Sequence, residues 1–285
     1  MNAFALKIIA LASMLIDHVG AVFHDSLGTG FRVVGRLAFP IFAFLLAEGF
    51  RRTSNPQKFL FRLGVFALVS EPFFDLALKT DWRAAGQADF WFFVENVDFF
   101  AGTNIFYTLL LGGITICAFE YVTTRSHELA AKFSDSGPSV APAVPARDED
   151  WGLARLAQRL GLDFALAILA MVSALLVAEM LTTDYAAYGV IFVFLMYAVK
   201  NKKLRLAVMA LMGLLQHSFI IEVVIAGYAR AVPFWELMML PATMLPALLA
   251  ALYNGERGPP YKMAFYAAYP AHLAVLLAAA LVAHL

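Results

Sequence analysis

The sequence predicts an all-α, polytopic membrane protein, a single transmembrane bundle of about nine spanning helices with bounds of roughly eight and ten. Three observations predict it. Hydrophobic residues make up 62% of the 285 and charged residues 15%, where a soluble globular domain is nearer half apolar and a quarter charged. Mean hydropathy is +0.75. The excess gathers in long apolar runs at 33–50, 60–78, 105–122, 162–181 and 263–282, each about as long as the roughly 18 residues that carry a helix across the hydrocarbon core. Only helices and closed barrels satisfy the backbone at that depth, and these runs lack the period-two alternation of barrel strands.

Taken in order, the spans fall at 3–23, 34–50, 60–78, 104–122, 161–181, 185–199, 205–228, 234–253 and 263–283. The first is read as a membrane helix and not a signal peptide. No small-residue cleavage site follows it, and Asp17-His18 interrupts it. In the second, Pro40 removes a backbone bond and predicts a kink. The segment 81–103 is aromatic but holds Asp81, Arg83, Asp89, Glu95 and Asp98, which suits an external loop or an interfacial helix. Residues 124–150 are rich in Ser, Ala and Pro, then acidic. Too little apolar surface is available there to fold, so a disordered cytoplasmic loop is expected, with His127 solvated in it. In the seventh span Gln216-His217 is a candidate break. The domain organisation is therefore transmembrane helices over 1–123, a disordered or partly ordered loop over 124–158, and transmembrane helices over 159–285, one membrane domain in all.

Basic residues set the orientation. With the N-terminus inside, fifteen of the 21 Lys and Arg fall in cytoplasmic loops and five outside, while Lys7 lies within the first span. This favours a cytoplasmic N-terminus and an external C-terminus. A net charge of +0 offers no basic field, so nucleic acid is not an expected partner. Cys117 is the single cysteine and sits in an apolar run, where it reads as a buried filler residue. No metal-binding set is expected.

Ionisable groups at membrane depth cost about 2.5–3.5 kcal/mol each on insertion scales, so they need a reason. The candidates are Lys7, Asp17, His18, Arg36, Glu48, Glu71, Asp163, Glu179, His217, Glu222 and His272. Lys7 and His18 are 11 residues apart, which puts them on one helical face roughly 16 Å apart along the axis. Asp17 points about 100° away from His18 and is expected to pair with Arg36 at the same outer level. Glu48 suits either a salt bridge to Arg51 or Arg52 or a site role. Glu71, in Ser70-Glu71-Pro72, reads equally as a structural pair or a site group. His217 reads as a hydrogen-bonded bundle residue. On the last span Phe265, Tyr269 and His272 share a face, beside Pro270 and after the tight turn at 254–258.

These segments carry a family resemblance. LKIIALASMLIDHVG (6–20), GRLAFPIFAFLLAEGF (35–50), RLGVFALVSEPFFD (62–75), DYAAYGV (184–190) and NGERGPPYKMAFYAAYPAHL (254–273) resemble the TraX family, named for the F-plasmid protein that N-acetylates pilin. The region 124–150 departs from that pattern as a variable insertion. The first span is also similar, more distantly, to membrane acyltransferases of the acyltransferase-3 type, which carry a basic residue and a histidine eleven positions apart. Here Lys7 stands in the basic position, keeping the charge without the planar guanidinium fork.

The resemblance implies an acyltransferase of the bacterial cytoplasmic (inner) membrane. It would move an acetyl group from acetyl-CoA to an amine or hydroxyl of a peptide, glycan or lipid-linked acceptor. His18 would then be the general base, with Arg36 or Lys7 steadying the oxyanion. Asp17, Glu71 and His272 would complete the catalytic set. Lys7, Arg257, Lys262 and Tyr269 would hold the cofactor, the basic ones through its phosphates. Two other classes fit the same residues. A transporter or channel also uses intramembrane Asp, Glu and His, and a structural component of a conjugation or secretion apparatus needs none of them for chemistry.

Overall fold

The computed structural model describes residues 1–23, 30–80, 90–135, 147–216 and 234–284. Among these residues all regular structure is helical. The elements are α1 (Ala3–Val22), α2 (Gly30–Gly35), α3 (Ala38–Phe50), α4 (Pro56–Phe74), α5 (Phe90–Glu95), α6 (Ile105–Asp135), α7 (Arg147–Met180), α8 (Ala186–Ala198), α9 (Lys202–Leu215), α10 (Phe234–Ala251) and α11 (Lys262–His284). Three helices open on asparagine caps, whose side chains satisfy an otherwise orphaned backbone donor. Asn2 accepts from the Ala5 amide at 3.0 Å, Asn55 from Lys58 at 2.8 Å and Asn201 from Leu204 at 3.1 Å.

Among the described residues five stretches are long and apolar enough to cross a membrane: Ala3–Val22, Gly30–Phe50, Ile105–Thr124, Gly161–Met180 and Met263–Ala283. Ala186–Ala198 and Pro241–Ala251 are apolar but shorter. Nine spans were expected, and these five meet the criteria of length and composition among the described residues, which leave out 217–233. The span expected at 60–78 belongs to a helix that carries Lys58, Arg62 and Glu71 and ends in a π-helical turn, Asp75–Lys79. The span expected at 205–228 reaches Leu215, with Gln216 as its C-cap. His217 and Glu222 lie outside the described residues.

The other departures are local. Pro40 falls in the first turn of α3, where proline is tolerated; the chain breaks ahead of it, at Arg36-Leu37, and the expected kink becomes a gap between α2 and α3. The loop expected to be disordered or partly ordered over 124–158 has helix at both its ends among the described residues. α6 continues to Asp135 and α7 begins at Arg147, because 128–132 is a run of strong helix formers, Glu-Leu-Ala-Ala-Lys. Residues 136–146 lie outside the described set.

α3 is the central helix. Ten of its 13 residues are buried, as befits a helix apolar all round, and it packs on α1, α6, α8 and α10. α7 shows the opposite pattern: Leu162, Phe164, Leu166, Leu169, Leu176 and Met180 are exposed. So broad an apolar face is a liability in water and an asset against lipid. At one end the chain ties itself together. The Met1 ammonium donates to Leu252 O at 2.8 Å and Ala3 N to Glu256 O at 2.8 Å. Arg257 donates to Arg52 O at 3.1 Å. α1, α4 and α11 therefore all start from the same end and run side by side.

Candidate functional site

Because α1 and α11 run parallel, the polar residues partway along each come level. His18 is 8% exposed, and its Nδ1 lies 2.7 Å from Nε2 of His272. The two rings stack with centroids 5.0 Å apart. The other nitrogen of His272, Nδ1, is 3.1 Å from the carbonyl oxygen of Ala268. This chain of contacts sets the tautomers of the neutral pair. A carbonyl only accepts, so Nδ1 of His272 carries the proton and its Nε2 is an acceptor. Nδ1 of His18 must then donate, which leaves Nε2 of His18 with the free lone pair. The geometry thus holds His18 as a base, with His272 as the group that orients it.

Tyr269, one turn before His272, completes the cluster. Its ring stands edge-on to His18 at 6.1 Å, to His272 at 5.2 Å and to Phe106 at 5.0 Å. Its hydroxyl is buried beside the backbone of Ile105, without a hydrogen bond of strict geometry, and lies within electrostatic reach of Glu71 and Asp184. Lys7, on the same face of α1 as His18, sits nearer the tied end, with Nζ 5.0 Å from the Phe265 ring.

Asp17 belongs to a neighbouring network. Its partner is Arg32, at 2.8 Å, in place of the expected Arg36. Both arginines lie on one face, and the break after Gly35 decides between them. Gly35 itself is packed so closely on Asp17 that any Cβ there would overlap the carboxylate. Arg36 keeps a buried Nε without a hydrogen-bond partner, and both arginines act on Asp184. Burial pushes the Asp184 carboxyl up to about 6, with Asp17 adding to the shift and the arginines opposing it. Asp184 lies in a turn where Thr182, Tyr185 and Ala186 all have positive φ, 42°, 70° and 43°. Such strain in non-glycine residues persists only where surroundings enforce it. Here the Thr108 hydroxyl donates to the Asp184 carbonyl and lies 3.0 Å from Thr183 Oγ1, whose hydroxyl can donate back to it, and the Asp184 amide donates to Thr103 O at 2.8 Å.

Glu71 is fully buried in a third group. Its Oε2 accepts from the Asn104 amide at 3.0 Å and from the Asn104 side chain. Its Oε1 is 3.9 Å from Lys79 Nζ. Lys79 also pairs with Asp75, whose Oδ2 accepts from the Asp98 amide at 2.6 Å. Residues 71, 75 and 79 follow one another at helical spacing, so this cluster was legible in the sequence once Glu71 was singled out.

Glu48 is tied at the opposite end. It pairs with Arg51 at 2.9 Å, Arg52 at 3.4 Å and Arg205 at 2.9 Å. The first two were expected alternatives; Arg205 comes from α9, a long-range partner that no spacing announces. Arg257 is exposed on the turn beside Arg52. Lys262 begins α11. Of the sequence-derived site residues, then, His18, His272 and Tyr269 touch. Lys7 lies on the same face of α1 as His18, Asp17 and Arg36 belong to the neighbouring network, and Glu71 and Arg257 sit in other groups. Among the described residues, no cluster of His, Cys, Asp and Glu is suited to a metal ion.

Comparison with known proteins gives this arrangement a context. The probable fimbrial assembly protein FimC, serogroup H1, of Dichelobacter nodosus is 28% identical over 287 residues, covering 98% of this chain and 95% of the relative. No solved structure matches. The family model described as TraX protein matches residues 3–280. A match that runs almost from end to end settles the family, and the chain belongs to the TraX family.

Proposed function

We propose that the protein is a membrane acetyltransferase, taking an acetyl group from acetyl-CoA and placing it on an amine or hydroxyl of a pilus-related acceptor. The observation that carries this reading is the His18–His272 hydrogen bond, which leaves Nε2 of His18 as a base within an apolar bundle. The acceptor nitrogen or oxygen attacks the thioester carbonyl while His18 Nε2 removes its proton. The thiolate of CoA leaves and takes that proton back. Oxyanion stabilisation falls to the Tyr269 hydroxyl and Arg36. Lys7, roughly 16 Å along the axis from His18, serves the cofactor instead. The name of the fimbrial relative supports a pilus component as acceptor. The same reading places the chain in the bacterial cytoplasmic membrane, N-terminus inside.

The test is thiol release and label transfer from labelled acetyl-CoA to a peptide N-terminus, by purified protein in nanodiscs. H18A is expected to lose about 10²- to 10⁴-fold in kcat. A folded H18A that transfers at the wild-type rate would sink the assignment.

A further inference from the structure

The face of α11 that carries Tyr269 and His272 continues towards the tied end of the bundle. Tyr266 stacks on Phe66 of α4 at 5.2 Å and lies 6.1 Å from Phe106. Arg62, one turn before Phe66, hydrogen-bonds the Tyr266 side chain, and its guanidinium lies 5.8 Å from the Phe59 ring centre. The ion pairs among the described residues engage Arg32, Arg51, Arg52, Lys79 and Arg205 and leave Arg62 out. Its Nε is buried with no hydrogen-bond partner. A guanidinium held in place, with no carboxylate beside it among the described residues and a donor unused, is costly unless an anion visits it. Across α11 at the same level, Lys7 approaches Phe265 from α1. Residues 265 and 266 are adjacent and point about 100° apart, so the two cations flank α11 from its two neighbours. From this pair the rings of Tyr266, Phe106 and Tyr269 lead on to His18.

We infer that Arg62, oriented by Tyr266 and assisted by Lys7, binds the phosphate-bearing end of the acyl donor, and that the aromatic rings line the path of its thioester arm to His18. The ligand class is a nucleotide phosphate ester. This rests on the acetyl-transfer reading for the identity of the donor, but the phosphate site stands on its own geometry. Arg62 is a planar, always-charged fork suited to a phosphate oxygen pair, and it lies near the end where α1, α4 and α11 begin.

The experiment measures binding of tritiated CoA, and separately of pantetheine, to full-length protein in phosphatidylcholine nanodiscs. R62A is expected to bind CoA at least tenfold more weakly while binding pantetheine, which has no phosphate, unchanged. R62K keeps the charge and is expected to recover part of the loss, which guards against misfolding of R62A. Equal CoA affinity for R62A and wild type would overturn the inference. So would an equal loss for pantetheine, which would mark Arg62 as structural. Anionic phosphatidylglycerol in the nanodisc supplies the competing phosphate. If it abolishes CoA binding in wild type and not the residual binding of R62A, the site belongs to a lipid headgroup and the inference falls. Should wild type bind CoA through Arg62 but release no thiol with any acceptor, the transfer reading fails and the phosphate site survives.

Discussion

Replacing His272 with alanine separates orientation of the base from the base itself. In the wild type, His18 Nδ1 donates to His272 Nε2 across 2.7 Å, and this bond holds the tautomer with Nε2 unprotonated. H272A leaves that donor without its acceptor in a largely apolar setting. An unsatisfied buried donor costs about 1–3 kcal/mol, and His18 escapes the cost by moving its proton to Nε2. The productive tautomer then lies higher by that amount, so kcat is expected to fall roughly 5- to 150-fold. The KM for acetyl-CoA should hold, because His272 is remote from Lys7 and Arg62. H272N returns a side-chain carbonyl near the lost acceptor and should recover part of the rate. The assay is thiol release with kcat and KM resolved. Nitrogen NMR of ¹⁵N-histidine-labelled protein reads the tautomer directly, with His18 Nε2 unprotonated in wild type and protonated in H272A. A folded H272A with wild-type kcat and an unchanged His18 spectrum would refute the orienting role.

Two further predictions concern the scaffold. G35A forces a Cβ into the Asp17 carboxylate and is expected to cost about 1–3 kcal/mol from overpacking, lowering the thermal midpoint in detergent; an unchanged midpoint would show that α1 and α2 do not pack this closely. E48A strips the shared carboxylate from Arg51 and Arg205, whose side chains are 24% and 10% exposed. Breaking a buried pair from one side costs about 3–5 kcal/mol, so E48A should be far less stable than E48Q, which keeps a hydrogen-bond acceptor, in parallel melts.

The sequence spoke most clearly where helical spacing alone decides. Lys7 and His18 share a face because 11 residues close three turns, and Tyr269 and His272 share one because residues three apart are neighbours on a helix surface. What it could not express is register between helices. His18 and His272 are 254 residues apart, and their meeting depends on α1 and α11 starting from one end, which the Met1, Ala3 and Arg257 contacts enforce. Asp17 shows the limit on a finer scale. Arg32 and Arg36 were equivalent by spacing, and a break two residues long gave the carboxylate to Arg32. The span count shows a different limit, with five of the expected nine long and apolar enough among the described residues. Hydropathy adds residues regardless of where they face, so α4, with Arg62 and Glu71 turned to polar partners, scores as an apolar run from 60 to 78 without being a simple span.

The same contacts weigh against a proton-conducting role for the histidine pair. Conduction needs each member to pass on the proton it receives, so the chain must end on a group that titrates or opens to water. Here His272 ends on the backbone carbonyl of Ala268, which accepts a hydrogen bond and cannot relay a proton. Three of the nearby carboxylates are engaged elsewhere: Asp17 with Arg32, Glu71 with Asn104 and Asp75 with Lys79. A dead-end chain fixes a tautomer, and a fixed tautomer is useful to a group that takes a proton and returns it to the same pocket. That is the task of a base in acyl transfer, where the proton leaves the attacking group and goes back to the departing thiolate. A scaffold with no chemistry, the remaining alternative, gives no reason to bury two facing imidazoles beside a tyrosine hydroxyl that has no good hydrogen bond of its own, since apolar side chains of similar volume would fill the same space at lower cost.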